Sequence, residues 1–269
     1  MKTTIRNYQL ATVVLFIFLL PGCKKAYDYL KDHKNGVTDC CRVESIDFKV
    51  DEQNIRAIFS YDKNDNPLSI TYEENVNNAA LVHSFFKYDN RGRLTGRLQN
   101  YQEPPGFLIW DKYVYTDNKH VIDSTFLYGT GGWPGDRPTK YSYLRTSLIE
   151  LDKLDRIVKT TEYFNVGEPF VTTYSYDARG NLVSVSSSNS AAFNTPGYDN
   201  ELNIHHTNKV WMFVDKDYSI NNPLNSVGNS YNNFHLPLEL THDIYTTTFM
   251  NVSYDSATVN YSCRDNNFK

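Results

Sequence analysis

The chain has no window in which apolar residues recur at i, i+3, i+4 and i+7 over several turns, which argues against an α-helical body. It contains no Gly-x-Ser-x-Gly elbow, no His-Glu-x-x-His pair and no paired Cys/His spacing, so the usual signatures of a serine hydrolase or a zinc site are missing. The run from Gly129 to Gly135 has the glycines of a phosphate loop but lacks its Lys-Ser/Thr ending and a following helix pattern. His83, His120, His235 and His242 are scattered, and His205-His206, read as strand neighbours, point to opposite faces. No catalytic residue, metal ligand or cofactor follows from these patterns, and the expectation is a non-enzymatic protein. Lys and Arg do not cluster, which argues against a nucleic-acid partner. No Ser/Gly/Pro-rich linker interrupts the middle of the chain, so residues 45–269 read as one domain.

Long apolar runs are nearly absent too, the exception being Leu10 to Leu20, which is too short to span a bilayer by itself. It follows Lys2 and Arg6 and ends in Leu20-Pro21-Gly22-Cys23, the layout of an export signal over residues 1–22. The Cys placed after small residues resembles the bacterial lipobox, which implies lipidation of Cys23 and attachment to a membrane. Several acyl chains at one Cys would hold the protein stably, whereas a single chain is marginal. Residues 23–44 then read as a polar tether leading into the first strand. Removing Lys2 and Arg6 from the 27 basic residues leaves 25 against 31 acidic ones, a net charge of −6.

What the chain has in quantity is tyrosine (21) and phenylalanine (15), with frequent Thr, Val and Ile, a composition that suits strands. The clearest pattern is Phe86 to Leu98, FKYDNRGRLTGRL. Phe86, Tyr88, Leu94, Gly96 and Leu98 occupy even positions and so are expected on one face, while Asp89-Asn90-Arg91-Gly92 reads as a tight reversal. The stretch is therefore a β-hairpin with a bulged turn. Weaker copies run from Tyr61-Asp62 to Leu68 with one extra turn residue, Tyr115-Thr116 to Val121, Leu151-Asp152 to Ile157, and Tyr176-Asp177 to Leu182. Val50-Asp51 to Ile55 reads as a shortened copy. Such regularity marks a repeat architecture.

These residues resemble the YD or RHS repeat, whose unit runs approximately Tyr-Asp-x-x-Gly-Arg-Leu. Tyr88 to Leu94 matches it at every fixed position, and Tyr176 to Leu182 departs only at Asn181. With the lipobox, the chain is similar to small Bacteroidetes-type lipoproteins that carry a few degenerate YD repeats. The resemblance implies an all-β fold, an antiparallel up-and-down meander of hairpins in a strongly curled sheet or a partly closed barrel. If every YD turn lies at one end, the longer connections Glu73 to Ala79, Gln99 to Gly106, Gly129 to Pro138, Asn165 to Pro169 and Ser186 to Asn200 gather at the other, where function tends to sit. Beyond Asn200 the repeat fades. Val210 to Val214 reads as a buried strand, Leu236 to Leu240 as a short edge strand, and Ile244 to Met250 with Val252 to Ser262 as a final hairpin.

Candidate functional residues are few. In an oxidising compartment Cys263 is expected to pair with Cys41 or Cys40, tying the last strand to the first. Trp133 in the Gly/Pro-rich loop, with Tyr101, Phe107 and Trp110 near another, could stack on a sugar ring or anchor a protein. The expected function is binding of a glycan or a protein partner by a lipid-anchored envelope protein, in the outer membrane facing the periplasm or on the cell surface. The alternatives are a structural or assembly component of the envelope without a small ligand, and a carbohydrate-active enzyme with carboxylates from separate strands.

Overall fold

The computed structural model describes residues 37, 41–50, 53–73, 81–101, 106–131, 138–195, 197–224, 226–241, 249–252 and 255–264. Cys23, Cys40, Trp133, His242 and most of the tether lie outside them, as does the strand expected from Ile244.

The fold is all-β, and most of it is one antiparallel meander. Its strands are β1 (Cys41–Val50), β2 (Gln53–Tyr61), β3 (Pro67–Tyr72), β4 (Val82–Tyr88), β5 (Leu94–Tyr101), β6 (Gly106–Tyr115), β7 (His120–Thr130), β8 (Ser142–Leu151), β9 (Ile157–Phe164), β10 (Phe170–Tyr176), β11 (Leu182–Ser187) and β12 (Ser190–Asn194). The small pair β13 (Tyr198–Leu202) and β14 (Asn221–Pro223) follows, then β15 (Glu239–Thr241) and β16 (Ser256–Cys263). The large sheet has 14 strands, running from β12 in reverse chain order to β1 and then to β16 and β15. Among the described residues no pairing joins β12 to β15.

Four turns share one construction. The first Asp, at positions 62, 89, 152 and 177, donates its N–H to the carbonyl four residues on and accepts an N–H at its own carbonyl from the residue three on. In the first three, its Oδ1 also accepts the N–H groups two and four residues on, as in Asn64 and Asn66, Arg91 and Arg93, Leu154 and Arg156. In the fourth, Asp177 Oδ1 accepts the Asn181 N–H. The residue three after the Asp has positive φ in each, Asp65 (61°), Gly92 (74°), Asp155 (58°) and Gly180 (99°). Asp tolerates that conformation better than most side chains, so turns that lack the Gly keep the same shape. The first turn therefore has no extra residue: Pro67 pairs with Tyr61 as Leu94 pairs with Tyr88. The Val50 to Ile55 run is not a copy of this turn, since it joins β1 to β2 at the opposite end.

Leu151 precedes the third turn, but at the second and fourth the tyrosine before the turn stitches its hairpin to the preceding one. Tyr88 Oη donates to the Pro67 carbonyl at 2.7 Å and Tyr176 Oη to the Ile157 carbonyl at 3.0 Å. In the forward direction, Arg93 lies 4.4 Å over the Tyr115 ring and Arg156 lies 4.2 Å over the Tyr176 ring. A Phe could fill the same space but could not make the first link.

One face of the sheet is covered by the C-terminal segment. Val210 to Val214 forms no strand; it lies in a short helix, α1 (Lys209–Asp215), capped by Asn208, whose side chain accepts the Val210 N–H. A short apolar run does not distinguish the two states by periodicity; the Asn208 cap starts the helix and its packing on the sheet holds it. Trp211 is fully buried and meets the rings of Phe59 in β2, Phe86 in β4 and Phe249. Further along, Phe213 packs on Tyr113 and Tyr218 on Tyr176. In place of the expected final hairpin, β16 pairs with β1 on one side and β15 on the other, and a Cys41–Cys263 disulfide ties β1 to β16.

Candidate functional site

Strand register sorts the chemistry onto two faces. Phe86 touches Trp211 and is paired with Arg97, which is paired with Asp111, so these three share the covered face. Leu98, Trp110, Phe126 and Tyr143 form the next row and lie on the other face. The expectation that Leu94, Gly96 and Leu98 face the same way fails because Tyr88 pairs with Leu94 but Lys87 pairs with Gly96. The extra residue, Thr95, inverts the alternation beyond it.

On the uncovered face, near the irregular connections, aromatic rings form a continuous patch. Trp110 lies 5.0 Å from Phe126 and 5.3 Å from Tyr141, and Phe126 lies 4.7 Å from Tyr141. Tyr143 joins at 6.1 Å from Phe126. Tyr141 and Tyr143 are each 42% exposed. Of the aromatics expected to bind, Trp110 belongs to this patch. Phe107 is a packing residue instead, buried against Gly129. Tyr101 ends β5 with its backbone paired to Val82.

The covered face carries a buried polar band that crosses five strands. Arg97 Nε donates to Asp111 Oδ2 at 3.0 Å, and Thr125 Oγ1 donates to Asp111 Oδ1 at 3.1 Å. Arg145 then donates to Thr125 Oγ1 at 3.3 Å and to Glu162 Oε2 at 2.8 Å. Buried ion pairs of this kind cost desolvation that their attraction barely offsets, so stability alone is a weak reason for them. One member is unsatisfied: Asp123 is 7% exposed and its Oδ1 has no hydrogen-bond partner. Burial, reinforced by the charge of Asp111, pushes its carboxyl up to about 7.

A cavity of about 600 Å³ opens beside this band. Arg97, Tyr174, Phe193 and Tyr198 contribute to its wall, and the turn Asp215-Lys216-Asp217 after α1 supplies the other side. His205 lies in a buried 3₁₀ turn rather than the expected strand, with Nε2 2.9 Å from Asp215 Oδ2 and Nδ1 2.8 Å from Asn203 Oδ1. Burial opposes charge on this imidazole, but the Asp215 hydrogen bond and carboxylate outweigh it and hold its pKa above the ordinary value. His206 is separate, its Nε2 3.3 Å from the Tyr218 carbonyl oxygen.

The chain matches no known family model and no curated protein. The site therefore rests on its own residues. The sequence reading missed Arg97 and Glu162 because bulges in β5 and β9 shift their alternation by one, and it missed Asp111, Asp123 and Arg145 because charged residues are not expected on a covered face.

Proposed function

We propose that the protein is a lipid-anchored envelope module, held by Cys23, that binds a glycan through its aromatic patch. The observation that carries this reading is the contiguous row of Trp110, Phe126, Tyr141 and Tyr143 on the sheet face opposite the one that α1 packs on. Flat aromatic surfaces with hydroxyls at their rim suit the apolar face and polar edge of a pyranose ring. A proposed strong curl of the sheet would present that face outward. Its support is reach. Phe193 in β12 and Leu240 in β15 touch the same cavity, although 13 strand spacings of about 4.8 Å would separate them by about 60 Å in a flat sheet.

The test is a glycan-array screen of the soluble domain followed by affinity measurement on any hit. Tyr141→Ala, at an exposed ring, should weaken binding about five- to tenfold with the melting temperature nearly unchanged. Unaltered affinity in both Tyr141→Ala and Trp110→Ala would remove the patch from the binding site. For the anchor, Cys23→Ala should move the full chain from the membrane to the soluble fraction, and continued membrane association would refute it.

A further inference from the structure

Both ends of the sheet domain leave it at the pole that carries the Asp turns. The Cys41–Cys263 disulfide holds the start of β1 beside the end of β16, and Arg42 and Arg264 both pair with Asp65 of the first turn. The turns themselves sort the charges at this pole. Each leading Asp folds back onto an N–H of its own turn, as Asp62, Asp89, Asp152 and Asp177 do. The basic residue one or two positions on is left at the tip, so Lys63, Arg91, Lys153 and Arg179 are all exposed. The side chains of Lys63, Arg91 and Lys153 make no hydrogen bond or ion pair with a described residue, and neither does that of exposed Lys209 at the start of α1. The other carboxylates of the turns are engaged, Asp65 by the two arginines, Asp117 by His120 and Asp155 by Lys119. Between the tips and α1 runs a trough of about 520 Å³ lined by Arg93, Lys119 and Lys209 together with Tyr115, Met212 and Phe213.

We propose that this pole is a docking surface for a bilayer of anionic phospholipid, and that the cations at its tips and along the trough meet the lipid phosphates. The choice of partner rests on the anchor at Cys23. Cys23 lies 18 positions before Cys41, a span of at most about 60 Å, so the acyl chains enter the bilayer within reach of the end where β1 begins. Successive turns are two strand spacings apart, about 10 Å, close to the distance over which salt screens exposed charges, so neighbouring cations act together. The side chains that face solvent without a partner are basic at four places on this pole, and a negatively charged leaflet attracts each of them. The trough sets cations beside an apolar surface, which suits a head-group phosphate and the glycerol beneath it. Docked in this way, the irregular connections and the aromatic patch near them point away from the bilayer.

The decisive experiment uses the chain from residue 23 onward with Cys23→Ala, which keeps every described residue and carries no acyl chain. Sedimentation with vesicles of phosphatidylcholine alone is compared with vesicles that also contain phosphatidylglycerol. The chain is net negative, so overall charge predicts repulsion from the second kind. Docking through this pole predicts the reverse, affinity roughly tenfold or more higher for the anionic vesicles and falling steeply as salt is raised. Lys63→Gln and Lys209→Gln should each weaken that binding about fivefold and leave the melting temperature unchanged. Lys49→Gln, an equally exposed lysine near the opposite end of β1, should leave the affinity unchanged. Equal binding to the two kinds of vesicle would overturn the proposal. So would unaltered binding in both Lys63→Gln and Lys209→Gln, or an equal loss in Lys49→Gln. Because this chain has no anchor, its result stands apart from the fractionation test of Cys23, and the two readings fail separately.

Discussion

The meander and the segment that covers it are stabilised in opposite ways. From β2 to β11 four of the five hairpins close on a leading Asp, and neighbouring hairpins are linked by a Tyr hydroxyl, an Arg over a Tyr ring or, between β6–β7 and β8–β9, by Lys119. Most of those partners are close in sequence. Among the described residues from Asn203 to Val252 regular structure is sparse, and the longest helix has 7 residues. Isolated helices of that length are unstable in water, so α1 depends on contacts made by Trp211, Met212 and Phe213 with distant strands. Repetition makes the first region tolerant of single changes, whereas the second hangs on a few anchors.

The sharpest way to break that contrast is Trp211→Ala. Removing a fully buried indole that meets Phe59, Phe86 and Phe249 should cost about 3–5 kcal/mol, read from denaturant unfolding. If the meander is locally encoded, far-UV strand signal should outlast the near-UV aromatic signal in this variant. Simultaneous loss of both at the native midpoint would show one cooperative unit. A smaller effect is expected from Asp152→Ala, which removes an acceptor of two backbone N–H groups and of Arg156, at about 1–2 kcal/mol.

The pH dependence of that loss has a definite sign. Burial resists charge on Asp152, but hydrogen bonds from Arg156 and the backbone outweigh it and lower its pKa below 3.8. Its folded pKa is thus depressed, so its contribution is present above the unfolded value and disappears as pH falls through the folded one. The stability gap between native and variant should therefore narrow as pH falls below the ordinary carboxylate range. A gap that persists unchanged at pH 2.5 would mean that the carboxylate charge is irrelevant to the turn. The smallest change is Asp155→Gly, at a residue with φ of 58°, which should raise stability by about 0.5 kcal/mol or leave it level. A clear loss would indicate that the Lys119–Asp155 contact at 3.2 Å matters more than backbone strain.

Much of the fold was legible because the signals were local. Tyr88-Asp89 and Tyr176-Asp177 with their glycines mark reversals by chemistry confined to a few residues, and alternation marks the flanking strands. Even the turns without glycine follow, once Asp65 and Asp155 are seen to accept positive φ. The candidate site was much less legible. Trp110 stood out as an aromatic near a loop, but its neighbours Phe126 and Tyr141 come from other strands and connections. Arg97 and Glu162, at the two ends of the polar band, are 65 residues apart and carry no motif.

The sequence by itself determined the class of fold, the turn chemistry and the chain order of the hairpins, since each depends on hydrogen bonds and side-chain alternation over fewer than about ten residues. Tertiary structure decided three other things: that Val210 to Val214 is helical, that a bulge at Thr95 turns Arg97 inward, and that Arg97, Asp111, Thr125, Arg145 and Glu162 meet in one buried band. Each of these depends on which distant surface is available to bury a side chain, and local sequence does not encode that surface.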